Sequence, residues 1–369
     1  MKAQIVTIKR DTTVYFTEGN NPEDYLGYVK KKVLWIIAGM ILIIILFVYS
    51  ISVGAISIPP MEVIQTLLGQ APNQKWDTVI WEIRLPQALT AIVAGIGLSV
   101  AGVAMQSILR NPLASPFTLG VSSAGAFGAA VAIVIFGAGQ MHNSAADAIV
   151  ISNPYVTTVM AFLFCLLATG VILAISHLKG VSPEAMILTG VAITSLFSAG
   201  IMFLQYFATD GQLAAVVFWT FGDVSRANWQ QLAIMTLVVA AGTLYFIANR
   251  WNYNAIDAGD ETAKGLGVAV ERVRLVGMVV ATLIAAVIVT FLGIIGFVGL
   301  VCPHMVRRII GDDQRFLIPG SCVMGAILLL ASDTVARLIL APYILPVAVL
   351  TAFMGAPLFI YLIIRGYRR

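Results

Sequence analysis

Apolar residues in this chain are gathered into long runs separated by short polar stretches. The first run covers about 33–54 and follows a polar segment of mixed charge that ends in Lys30-Lys31-Lys32. Further runs cover about 86–108, 118–137, 154–176, 184–207, 230–248 and 275–295, then a short one at 297–310 and two more at 316–340 and 346–364. A bilayer core of roughly 30 Å takes about 20 apolar residues per spanning helix. The pattern therefore predicts an all-α, polytopic membrane protein of about ten transmembrane helices, with a cytoplasmic tail over 1–32 and a single transmembrane domain over 33–369.

Composition agrees: 59% of the 369 residues are hydrophobic and 11% charged, against roughly a quarter charged in soluble domains. That excludes an ordinary cytosolic protein. The first apolar run begins too late and extends too far for a cleavable signal peptide. Threading ten spans from an inside N-terminus leaves eighteen of the 22 Lys and Arg on the inner side, with only Lys75, Arg84, Arg226 and Arg337 outside. Cytoplasmic segments retain Lys and Arg, so both termini are expected in the cytoplasm and the protein in the cell membrane. Merging the short run at 297–310 with its predecessor would give nine spans and place Arg307, Arg308 and Arg315 outside, which the same rule disfavours. The net charge of +4 thus reports topology, and no nucleic-acid partner is implied.

The longest internal polar segment, 250–274, falls on the cytoplasmic side and mixes Asp257, Asp260, Glu261, Lys264, Glu271, Arg272 and Arg274 with Ala and Leu. Short helices at the membrane surface fit this composition. The loop is too small for an enzymatic domain and larger than a connector requires, which favours a docking site for another protein. No GxxxxGK[ST] phosphate loop, HExxH or GxSxG occurs, so the chain carries no ATPase motif and no sign of enzymatic chemistry. Cys165, Cys302 and Cys322 lie in apolar stretches and read as small buried hydrophobes, and no metal site or cofactor is expected. Asp333 is the one carboxylate placed within a span, and Arg337, four residues on, shares its helical face. The simplest reading is a local ion pair; the alternative is that Arg337 also offers charge to an external partner. Glycines inside the spans, such as Gly95, Gly97, Gly102 and Gly299, are read as sites of close helix approach.

Several motifs converge on one resemblance. Arg84-Leu-Pro86, Ala101-Gly-Val-Ala-Met-Gln106, Arg110-Asn111-Pro112-Leu113-Ala114-Ser-Pro116 and Leu119-Gly120-Val121-Ser122-Ser-Ala-Gly125 resemble the iron-chelate and cobalamin permease family of ATP-binding cassette importers. So do Gly259-Asp-Glu261-Thr-Ala263-Lys-Gly-Leu266-Gly267-Val268, Gly296-Phe-Val-Gly299-Leu-Val-Cys-Pro303-His304-Met-Val-Arg307, Ser332-Asp333-Thr-Val-Ala336-Arg337 and Gly355-Ala-Pro357. The likeness runs in order over about 33–366.

The resemblance implies a ten-helix permease subunit that forms a homodimer in the lipid membrane, with two ATP-binding subunits below and an extracytoplasmic substrate-binding protein above. It implies that Gly259, Asp260, Glu261, Ala263, Gly265, Leu266 and Gly267 couple to the ATPase. Asn111 and Leu113 would belong to a cytoplasmic gate. Arg84 and Arg337 would receive acidic residues of the binding protein, while Gln87 stands where the family often has another arginine. The cargo implied is a metal chelate, Fe(III)-siderophore first, then cobalamin or haem, with a molybdate-type oxyanion as a further option. A self-contained channel or secondary transporter is the alternative from another class, and the scarcity of carboxylates in the spans argues against it.

Overall fold

Each of the ten apolar runs is a helix. The computed structural model describes residues 22–54, 56–141, 149–151, 153–340 and 343–366. In chain order the elements are α1 (Pro22–Ser52), α2 (Pro60–Leu67), α3 (Gln74–Thr78), a π-helical turn at Val79–Arg84 that continues into α4 (Leu85–Ile108), and α5 (Val121–Val134). A small antiparallel hairpin of β1 (Gly139–Met141) and β2 (Ile149–Ile151) precedes α6 (Pro154–Leu178), α7 (Pro183–Phe207) and α8 (Asp210–Thr220). A 3₁₀ turn at Val224–Arg226 leads into α9 (Trp229–Ala248), α10 (Arg250–Asp257), α11 (Asp260–Gly265), α12 (Val270–Leu292), α13 (Val298–Ile310), α14 (Gln314–Leu338) and α15 (Val347–Gly366). The fold is thus the expected all-helical, polytopic one, with the hairpin as a minor addition.

Among the described residues seven helical segments are long and apolar enough to cross a bilayer, and α5 and α15 are shorter apolar helices. The short eighth run is α13, a separate helix. Gly293 (φ 81°) ends α12 and Phe297 (φ 67°) opens α13, and two left-handed residues so close together rule out one continuous span. Helix α1 begins at Pro22, well before its apolar run, so the basic triplet rides on the helix itself. Lys32 faces inward, its ammonium 4.0 Å from the Tyr28 ring centroid and 5.0 Å from that of Phe316. Residues 1–21, the bulk of the predicted tail, lie outside the described residues.

Helix α4 is the hub, packed against α9, α12, α13 and α14. Its sequence is apolar all round, the mark of a helix enclosed by others, and only small side chains allow so many neighbours. Ala88, Ala91, Ala94, Ala101 and Ala104 are all buried. At its two tightest crossings, glycine meets glycine: Gly95 against Gly325 of α14, and Gly102 against Gly299 of α13.

Candidate functional site

One end of the bundle brings together the C-terminus of α4, the short helices α10 and α11, and the N-termini of α12 and α14. Helix α4 closes in a Schellman motif, with Asn111 N–H donating to the Gln106 carbonyl (3.0 Å) and Arg110 N–H to that of Ser107 (3.1 Å). This motif needs a left-handed residue that is usually glycine, yet here Arg110 adopts φ 47°. Beyond it, the Asn111 side chain accepts from Leu113 N–H at 2.9 Å, an Asx turn that presents Leu113, 46% exposed, at the tip of the loop.

Arg274 is 3% exposed at the start of α12 and joins this loop to α11. Its Nε donates to the Ile108 carbonyl at 2.8 Å, one of the last carbonyls of α4, which has no partner in its own helix. Its two terminal nitrogens donate to both oxygens of Asp260, at 3.0 and 2.9 Å. These hydrogen bonds hold the Asp260 carboxyl below its ordinary value. Arg110 lies 3.9 Å from the same carboxylate. Alongside is a cavity of about 440 Å³ lined by Arg110, Asp260, Arg274, Val181 and Ser182 of the α6–α7 turn, and Glu184 in the first turn of α7.

A second polar cluster fastens α10. Gln314, at the start of α14, donates to the Ser107 hydroxyl and to Asp257 Oδ2, both at 2.8 Å, and Ser107 donates to the same Asp257 oxygen at 3.2 Å. Gln106 accepts from Arg307 of α13 at 2.9 Å. Sequence reasoning did not single out Ser107, Gln314 or Arg274 as site residues, because each becomes meaningful only beside partners far away in the chain.

The expected coupling residues divide into two groups. Glu261 and Leu266 stand out, 91% and 70% exposed, together with Gly265 and Gly267. Ala263 is fully buried, and Asp260 is turned inward onto Arg274. Gly259 (φ 121°) and Gly267 (φ 82°) bracket α11 in backbone states suited to glycine.

At the opposite end, Arg84 and Arg337 are brought together, but neither guanidinium is free. Arg84 donates to the carbonyls of Ile51 (2.7 Å), Ser52 (3.2 Å) and Ile56. Arg337 pairs with Asp333 at 3.1 Å, which confirms the local ion pair, and donates to the Ser50 hydroxyl at 2.6 Å. Both thereby complete the C-terminus of α1, where orphan carbonyls and the helix dipole favour a cation. Gln87 donates to the other Asp333 oxygen at 2.8 Å. Arg226 acts similarly at the end of α8, donating to the Trp219 carbonyl at 3.0 Å. Lys75, the remaining basic residue of that set, is exposed. Among the described residues no group of His, Cys, Asp or Glu has the geometry to hold a metal ion.

Comparison with known proteins gives the same picture. A protein of Methanocaldococcus jannaschii designated an ABC transporter permease is 52% identical over 351 residues, covering 94% of this chain and 99% of that protein. The hemin transport system permease of Yersinia pestis is 34% identical, covering 88% and 94%, and the Fe(3+)-citrate import system permease of Bacillus subtilis 32%, covering 90% and 96%. A solved structure of a metal-chelate type ABC transporter in an inward-facing conformation aligns with a TM-score of 0.77 at 30% identity, over 89% of this chain and 98% of that one. Residues 42–365 match the FecCD transport family, and with a relative of this identity over nearly its whole length, the chain belongs to that family.

Proposed function

We propose that this protein is the membrane-spanning permease subunit of an ATP-binding cassette importer. It would act as a homodimer with two ATP-binding subunits and move a metal chelate inward, an Fe(III)-siderophore first and cobalamin or haem next. The observation that carries this reading is the division of labour in α11: Glu261 and Leu266 face outward with room for a partner, while Asp260 is tied through Arg274 to the last turn of α4. A partner that grips the outer face of α11 thereby acts on the loop of Asn111 and Leu113. The names of the relatives, one a hemin transport permease and one an Fe(3+)-citrate import permease, supply the substrate class.

In this reading the α10–α11 end faces the cytoplasm, as do both chain termini. ATP binding and hydrolysis in the partner subunits bias the equilibrium between outward-open and inward-open states, and this chain supplies a shaped path and rigid coupling. The binding protein would dock at the far rim. There Arg84 and Arg337 serve docking by fixing the segment that follows α1, not by offering free charge. Copurification of ATP-binding chains with the tagged protein, and ATP-dependent uptake of a labelled Fe(III)-siderophore into proteoliposomes, test the proposal. Uptake driven by a proton or sodium gradient without any ATP-binding chain would overturn it.

A further inference from the structure

We propose that Arg274 and Asp260 form a positioning clamp that carries movement of α11 into the gate loop of Asn111 and Leu113. The inference rests on the importer reading above and names the residues through which its coupling would pass.

Three observations converge on it. First, the clamp joins three elements through one side chain: Arg274 of α12 is bidentate on Asp260 at the first turn of α11 and bonded to the Ile108 carbonyl of α4. A planar guanidinium fork on a carboxylate fixes orientation as well as distance. Second, α11 has few other anchors. It is six residues long, bracketed by Gly259 and Gly267 in left-handed conformations, and apart from Asp260 only Ala263 is tucked inward. Without the Asp260 contact a displacement of α11 would be absorbed at its glycines. Third, the receiving side is stiff where the delivering side is loose. Helix α4 is enclosed along its length and crosses its neighbours glycine to glycine, so a pull on Ile108 displaces the loop that follows it. The cavity of about 440 Å³ beside Arg274 and Arg110 leaves space for that displacement.

The test uses the permease assembled with its ATP-binding subunits in lipid nanodiscs. Leu113→Cys carries a spin label in both permease copies, and the distance between labels is measured with and without a non-hydrolysable ATP analogue. The parent complex is expected to change its Leu113 distance on nucleotide binding. Asp260→Asn, which keeps the shape of a partly exposed side chain, is expected to assemble and to hydrolyse ATP while losing that nucleotide-dependent change. Asp260→Glu, which restores the carboxylate, is expected to recover it. Arg274→Lys keeps the charge without the fork and serves as the second variant if Asp260→Asn does not assemble, with the same loss expected. A full distance change in an assembled Asp260→Asn or Arg274→Lys complex overturns the clamp, as does loss of hydrolysis together with the distance change, which would mark a merely structural role. No nucleotide response in the parent complex would instead overturn the importer reading on which the clamp depends.

Discussion

Gly95 of α4 and Gly325 of α14 face each other so closely that a Cβ on either would overlap the carbonyl oxygen of the other. Within lipid, helices gain little from hydrophobic association with each other and depend on close van der Waals packing, which small residues permit. The crossing is backbone against backbone, so nothing flexible can move aside. Gly95→Leu or Gly325→Leu is expected to destabilise the fold by about 3 kcal/mol or more, seen as loss of monodisperse protein on size exclusion. Gly170 of α6 meets nothing within 4 Å, so Gly170→Ala should leave thermal stability in detergent unchanged. Equal behaviour of the two sites would remove the packing argument.

The capping of α1 by Arg84 gives a second expectation. Removing the guanidinium leaves the buried Ile51 carbonyl without its donor, at ~1–3 kcal/mol for the group left unpaired, while the Ser52 carbonyl keeps the Ile58 N–H at 2.9 Å. Arg84→Gln should therefore lower the thermal midpoint of the permease alone, in the absence of any binding protein. Weakened docking should follow as a consequence of the displaced rim and vary little with salt. If Arg84→Gln keeps the parent's thermal stability and weakens docking steeply at low salt, Arg84 is a free rim charge and the capping role is wrong.

Asp260 predicts a pH dependence. Its carboxyl is held below the ordinary value by Arg274, so the folded state favours the ionised form. The stabilisation is complete above the unfolded value of about 3.9 and fades as pH falls through the lower folded value. The difference in thermal stability between the parent and Asp260→Asn should thus be constant from neutral pH to about 5 and close only in stronger acid. A difference that closes on raising the pH would mean that the carboxyl is held protonated, contrary to the clamp.

The ten helices were legible because a long apolar run leaves the chain few alternatives in lipid; each run is a helix in the structure, and among the described residues seven helical segments are long and apolar enough to cross a bilayer. What escaped was local or distant. Helix α8 is eleven residues long, too short to stand out as a span, although Thr209 and Gln212 form the capping box that signals its start. Arg84 and Arg337 were legible as basic residues at a helix end, but not as caps of α1, since their partners lie 33 and 287 positions away. In the coupling segment the spacing of Asp260, Glu261 and Ala263 says little about which face is buried, because α11 has fewer than two turns. That division appears only once Arg274 of the next helix is in place.

The exposed face of α11 supports the last expectation. Glu261 is 91% exposed and, among the described residues, its one ionic contact is with Lys264 of the same helix, at 3.3 Å, an exposed pair worth roughly 0.3–0.5 kcal/mol. Leu266 is 70% exposed at the C-terminal end of α11. Replacing either residue should therefore change the stability of the isolated permease by less than about 0.5 kcal/mol. At an interface the balance differs, because a buried anchor that is truncated or charged costs at least about 2 kcal/mol of association, a factor of roughly 30 in affinity. Leu266→Asp and Glu261→Arg are expected to leave the thermal unfolding of the permease unchanged while reducing retention of ATP-binding subunits on the tagged protein. Ala263→Asp, at a buried position of the same helix, should instead lower the thermal midpoint. Unchanged retention in both Leu266→Asp and Glu261→Arg would place the ATPase contact elsewhere on the protein, and α11 would lose its role as the coupling element.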